Sequence, residues 1–202
     1  MKNSIGLFVV LLFFVVPVNL SAQDPEKTFY QQFSDVLYDE CWCGDSLIIV
    51  PDTGVHVENR IYEEVVSFWN SLGLGVTFVF SHNYKPEQND YVVLVQRFEG
   101  YPWQEEACKR GLCTLAQFHE GIDRRKNENY GGWCFLGAFL WILDRFYNGS
   151  YEEQLEAFTH ELGHALGLDD GIDGTLMQGI DQDGFFLNER QLEALKAVYP
   201  KK

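Results

Sequence analysis

Apolar and polar positions divide this chain into one long apolar run at its start, residues 5–18, and a series of shorter stretches separated by polar turns. Residues 47–50 (Leu-Ile-Ile-Val), closed by Pro51 and Asp52, have the length and composition of a buried strand. Apolar residues then recur at Ile61, Val65, Phe68 and Leu72, the period of a helix over residues 58–72 that stops at Gly73 and Gly75. Residues 76–80 and 91–95 predict a second and a third strand, and the strand–helix–strand order predicts parallel pairing with a right-handed crossover. Residues 97–133 read mainly as loop, with some alternation over 113–119, and residues 137–144 as a further, well-buried strand. Ser150 and Glu153 have the spacing of a capping box that opens a second helix, with Leu155, Phe158, Leu162 and Leu166 on its core stripe. Asn188 and Gln191 would cap a last helix that buries Leu192, Leu195 and Val198 and ends before Pro200.

Composition turns these elements into one domain. The chain has 202 residues, 46% of them hydrophobic and 15% aromatic, enough for a single core. Lys2, the apolar run and the small pair Ser21-Ala22 predict a secretory signal peptide over residues 1–22. The run is shorter than the roughly 18–20 residues a spanning helix needs. Residues 23–46 are polar and acidic, with a weak helical period at Phe29, Phe33 and Leu37, and read as a short pro-segment or N-terminal extension. Residues 47–202 then form the main domain, expected to be secreted or periplasmic and monomeric. A formal net charge of −15 excludes nucleic acid and anionic membrane surfaces as partners, since both repel it. All five cysteines (Cys41, Cys43, Cys108, Cys113 and Cys134) follow the leader, where disulfides persist. Cys108 and Cys113 bracket a short loop and are a plausible pair, and the odd number leaves at least one thiol over.

Chemistry enters at residues 157–170, which contain H-E-x-x-H. On a helix, His160 and His164 lie four apart on one face and can hold one metal ion. Glu161 sits about 100° round the helix from His160, close enough to take a proton from a water that the metal activates. The two histidines lie roughly opposite the core stripe, so they face a cleft. Gly167 lets the helix end by taking φ > 0, and the chain can then turn back to bring Asp170 to the same metal. Asp169 is the local rival, placed better to orient the turn. His119 stands alone in its region, His56 and His82 read as loop or surface residues, and Asp181-Gln182-Asp183-Gly184 is a fragment of a calcium loop without the full pattern.

Together His160, Glu161, His164, Gly167, Asp170 and the later Met177 resemble the metzincin pattern H-E-x-x-H-x-x-G-x-x-(H or D) with its Met-turn. The wording around the histidines is similar to the matrixins, and an aspartate in third place resembles the snapalysin-type proteases. The resemblance implies an α+β fold: a mixed five-stranded twisted sheet with one antiparallel edge strand, a long metal-site helix, a Met-turn and a C-terminal helix. It implies a zinc metalloendopeptidase with one catalytic Zn2+ on His160, His164 and Asp170, Glu161 as general base, and protein or peptide as substrate. Met177 would form a hydrophobic floor beneath the metal. Residues 113–119 would be the edge strand along the cleft, and the segment 178–186 one wall of the specificity pocket. Some metzincins place an oxyanion-stabilising tyrosine two residues after that methionine; here the position is Gly179. Cys43-Gly44 resembles, over two residues, the cysteine latch of the matrixin pro-segment. Two alternatives stay open: a thermolysin-like peptidase with Glu189 as third ligand, and a secreted metal-binding or adhesion module that does not cleave.

Overall fold

The computed structural model describes residues 27–84, 92–98, 116–120, 124–127, 130–170, 175–178 and 186–201. Among these residues the architecture is mixed α/β, with four helices and two sheets. Three of the helices start at a capping box. Thr28 with Gln31 opens α1 (Phe29–Phe33), Ser150 with Glu153 opens α3 (Tyr151–Ala165), and Asn188 with Gln191 opens α4 (Glu189–Val198). Helix α2 (Asn59–Ser71) begins after Glu58 without a side-chain cap.

The larger sheet contains β2 (Ser46–Pro51), β3 (Thr77–Phe80), β4 (Val92–Phe98), β5 (Ala116–Glu120) and β8 (Gly137–Leu143), in the order β3-β2-β4-β8-β5. Strand β2 is parallel to β3 and to β4, and β4 is parallel to β8. At one edge β5 runs antiparallel to β8, with Phe118 opposite Leu140 and His119 opposite Phe139. The smaller sheet joins β1 (Glu40–Trp42), β6 (Arg124–Asn127) and β7 (Gly132–Phe135) in the order β1-β7-β6, with β1 parallel and β6 antiparallel to β7. Strands β6 and β7 lie in or beside the stretch that reads as loop. They are too short for a period of two to stand out from the sequence.

Strand alternation explains the core. Leu47 and Ile49 on β2, Val93 and Val95 on β4, and Leu140 and Ile142 on β8 are fully enclosed. Helix α2 turns Ile61, Tyr62, Val65 and Trp69 inward, whereas Phe68 and Leu72, expected on the stripe, are half-buried. Stacking shifts the stripe: Tyr62 lies on Phe80 with centroids 4.1 Å apart, and Trp69 on Phe78 at 5.7 Å. On α4 the buried residues are Gln191, Ala194 and Leu195, while Leu192 and Val198 are half-buried. Here a polar residue takes an inner place because its side chain has two jobs. Gln191 closes the cap at Asn188 and reaches the Thr175 hydroxyl at 3.4 Å.

The core extends into the segment before β2. Phe33, Val36, Leu37 and Trp42 belong to one apolar cluster with Leu162, Leu166 and Leu195. Each such burial contributes on the order of 1.5–3 kcal/mol, so residues 33–42 are held by the core and not draped over it. A disulfide between Cys43 and Cys134, with Cα atoms 5.1 Å apart, ties the end of this segment to β7. Cys43 is therefore bonded and not available as a latch. Cys41 keeps a buried thiol whose pKa burial pushes up to about 12, far from the thiolate a metal ligand requires. Cys108 and Cys113 lie outside the described residues. Among the described residues no helix is long and apolar enough to cross a membrane.

Candidate metal centre

Helix α3 packs its Phe158 and Leu162 into the core and passes beside α2 and β5. Its C-terminus is a Schellman turn. The Leu168 amide donates to the Gly163 carbonyl at 3.0 Å, the Gly167 amide to His164 at 2.9 Å, and Gly167 takes φ +91°. A Cβ at residue 167 would lie 2.6 Å from the Glu40 carbonyl oxygen, so both conformation and space require glycine there. Beyond the turn, the chain runs antiparallel to residues 36–38. Leu168 bridges Leu37, the Tyr38 amide donates to Gly167 at 2.8 Å, and the Asp169 amide donates to Val36 at 3.0 Å. Asp169 then accepts the Asp170 amide at 2.7 Å through Oδ1, shaping the turn as the sequence suggested.

These elements bring His160, His164 and Asp170 into one group, with a ligand atom from each within 4.8 Å of the others. His160 Nδ1 lies 2.9 Å from the Leu176 carbonyl oxygen, and His164 Nδ1 lies 2.8 Å from that of Leu168. A carbonyl only accepts, so each Nδ1 carries the proton and each Nε2 presents a lone pair. The two Nε2 atoms are 3.0 Å apart, and Asp170 Oδ1 is 3.2 Å from one and 3.3 Å from the other. Three acceptors therefore converge with no donor among them. A cation relieves that arrangement.

A proton is one such cation. Burial opposes charging His164, but the hydrogen bond it donates to Asp170 and the charge of Glu161 outweigh it and raise the imidazole to about 9. The same balance raises His160, and the two imidazoles hold the Asp170 carboxyl well below the usual carboxylate range. A metal ion also fits the group. With bonds of about 2.1 Å, a tetrahedral centre has ligand atoms roughly 3.4 Å apart, close to the separations seen here. Two nitrogens and one carboxylate oxygen suit a borderline ion of the zinc type, not calcium with its six to eight oxygens. The histidine side chains are 12% and 13% exposed and Asp170 59%, so the group opens on the carboxylate side.

Glu161 is buried on the same helix, and its charge acts on both imidazoles. Met177, in the short turn Leu176–Gln178, is fully enclosed beneath α3. A Cβ at Gly163 would lie 2.5 Å from its sulfur, so glycine between the histidines is what lets Met177 approach. Leu176 in that turn also holds His160.

Other candidates stand apart. His56 and His82 are exposed, and His82 pairs with Asn59 at 2.7 Å. Glu189 is exposed in the first turn of α4 and is not a member of the ligand group. Residues 113–115 and 179–185, which include the calcium-like fragment and most of the expected pocket wall, lie outside the described residues, as does the leader. One residue at the centre has no local signal in the sequence. Tyr38, 132 positions before Asp170, directs its hydroxyl at Asp170 Oδ2 at 3.4 Å and sets its ring 5.6 Å from that of His164.

No protein-family model matches this chain, and no curated protein is significantly similar to it.

Proposed function

We propose that the chain is an exported zinc-dependent endopeptidase of the metzincin type, matrixin-like in its helix and snapalysin-like in its third ligand. The observation that carries this reading is the convergence of His160 Nε2, His164 Nε2 and Asp170 Oδ1, with Glu161 one residue along the same helix. Three protein ligands leave a coordination position open, the property that separates catalytic zinc sites from closed structural ones. A bound zinc ion would polarise the scissile carbonyl and lower the pKa of a water toward neutrality.

The protein's own groups do the rest. The Leu176 and Leu168 carbonyls accept the Nδ1 protons of His160 and His164, which aligns both rings and leaves each Nε2 toward the open site. Asp170 brings a negative charge where a third histidine would be neutral, which makes the centre a weaker Lewis acid. Glu161 takes the proton of the attacking water as the new C–O bond forms, then delivers it to the amine as the C–N bond breaks. No covalent intermediate with the protein arises. An extended substrate would add to β5, the antiparallel edge strand beside α3 among the described residues, through main-chain hydrogen bonds on the side away from β8. The Cys43–Cys134 disulfide suits an oxidising compartment outside the cytosol.

Cleavage of casein and of quenched peptides by wild type and Glu161→Gln, with and without a chelator, tests the reading. The expected result is a ~10²–10⁴-fold loss in the variant at unchanged zinc content. Full zinc loading without cleavage of a broad peptide library would favour the non-catalytic module. Zinc lost in Glu189→Ala but kept in Asp170→Ala would favour the thermolysin-like ligand set.

A further inference from the structure

Tyr38 is part of a segment whose place is fixed from two sides. Its amide donates to Gly167, its neighbour Leu37 bridges Leu168, and Tyr130 Oη donates to the carbonyl oxygens of Tyr38 and Glu40. Five apolar core residues, Phe33, Val36, Leu37, Cys41 and Trp42, anchor the chain on either side. The backbone thus delivers this side chain to the metal group with little freedom of its own.

What the side chain meets there is specific. A carboxylate at the end of a turn can rotate about its last torsion and offer either oxygen. Asp170 Oδ1 faces the two imidazoles, and Oδ2 faces the Tyr38 hydroxyl. A donor on Oδ2 holds that rotation, and keeps the lone pairs of Oδ1 for the cation. The Tyr38 ring lies against His164 at an interplanar angle of 46°, limiting the imidazole's tilt from the open side.

We propose that Tyr38 is a positioning residue of the metal centre: its hydroxyl fixes Asp170 as third ligand, so the segment before β2 is a permanent part of the site. This rests on the metal-centre reading above. Partners of this kind typically carry 10–100-fold in metal affinity. At 3.4 Å the contact is longer than the usual 2.7–2.8 Å, so about tenfold is expected.

The test measures zinc affinity by chelator competition, and the visible spectrum of the Co2+-loaded protein, in wild type, Tyr38→Phe, Asp170→Ala and the double variant. Tyr38→Phe keeps the ring and removes only the donor. It is expected to weaken zinc about tenfold and alter the Co2+ spectrum, with the melting temperature of the metal-stripped protein unchanged. In the Asp170→Ala background the same substitution is expected to change nothing further, the sign that the hydroxyl acts through the carboxylate. Unchanged affinity in Tyr38→Phe, or an equal loss in the absence of Asp170, overturns the proposal while leaving the metal centre intact. A wild-type protein that binds no metal overturns both.

Discussion

The candidate metal centre has two sides that are built in different ways. On the helix side, His160 and His164 come from one turn of α3, and the geometry between them follows from helical spacing alone. On the loop side, Asp170 lies beyond a left-handed turn and is held by residues 36–38, far away in the chain. The first side is local and needs only that α3 forms. The second needs the fold to be complete, because the pairing of 36–38 with 167–169 closes a long loop. The contrast implies that the histidine pair can exist in a loosened protein, whereas the three-ligand group cannot.

Proton linkage offers the largest test of this contrast. In metal-stripped protein His164 has its folded pKa raised from 6.5 to about 9, so its contribution is complete below 6.5 and is lost as pH rises through about 9. Asp170 has its pKa lowered from 3.8, so its contribution is present above that value and is lost as pH falls. Both describe one interaction, which is strongest between about pH 4 and 6.5 and is worth at most ~3 kcal/mol. Melting of the stripped protein is expected to weaken from pH 6.5 to 9.5, and Asp170→Asn to flatten that slope. Zinc binding should strengthen over the same range, because its ligands must be deprotonated. A slope that persists in Asp170→Asn would place the linkage elsewhere.

A substitution at the joint comes next in size. Gly167→Ala puts a side chain at φ +91° and within 2.6 Å of a backbone oxygen. The conformation alone costs about 1–2 kcal/mol, and movement away from Glu40 disturbs the segment that carries Tyr38. Stability is expected to fall by about 2 kcal/mol, with zinc affinity falling as well. If chemical denaturation showed the loss while zinc affinity stayed at the wild-type value, the two sides would not be joined through Gly167.

The same division decides what could be read before the fold was known. The helix side is legible because its signals are short-range: the Ser150–Glu153 cap, the stripe of Phe158, Leu162 and Leu166, and two histidines four apart. Strands β2, β3, β4 and β8 carry enough consecutive Val, Ile, Leu and Phe to stand out. Strand β1 has three residues, and its parallel pairing with β7 sets Cys41 opposite Cys134, a contact that no local pattern encodes. Tyr38 is one aromatic residue among many until the pairing of Leu37 with Leu168 brings it to Asp170. The inner faces of α2 and α4 depart in part from the apolar period, because Tyr62 and Trp69 stack inward in one and Gln191 has two partners in the other.

The smallest effect belongs to the far end of the helix side. The Ser150 hydroxyl accepts the Glu153 amide at 3.2 Å, while Glu153 accepts the Ser150 amide at 2.6 Å. Ser150→Ala removes the first bond and leaves one amide of the opening turn without its acceptor, which typically costs about 1 kcal/mol. The loss falls on the first turn of α3, more than two turns before His160, and the intervening residues 157–159 are buried in the core. Fraying should therefore stop short of the metal group. Chemical denaturation is expected to register about 1 kcal/mol, and chelator competition no change in zinc affinity. A matching drop in zinc affinity would mean that the histidine pair depends on the whole helix, and the helix side would then be no more local than the loop side.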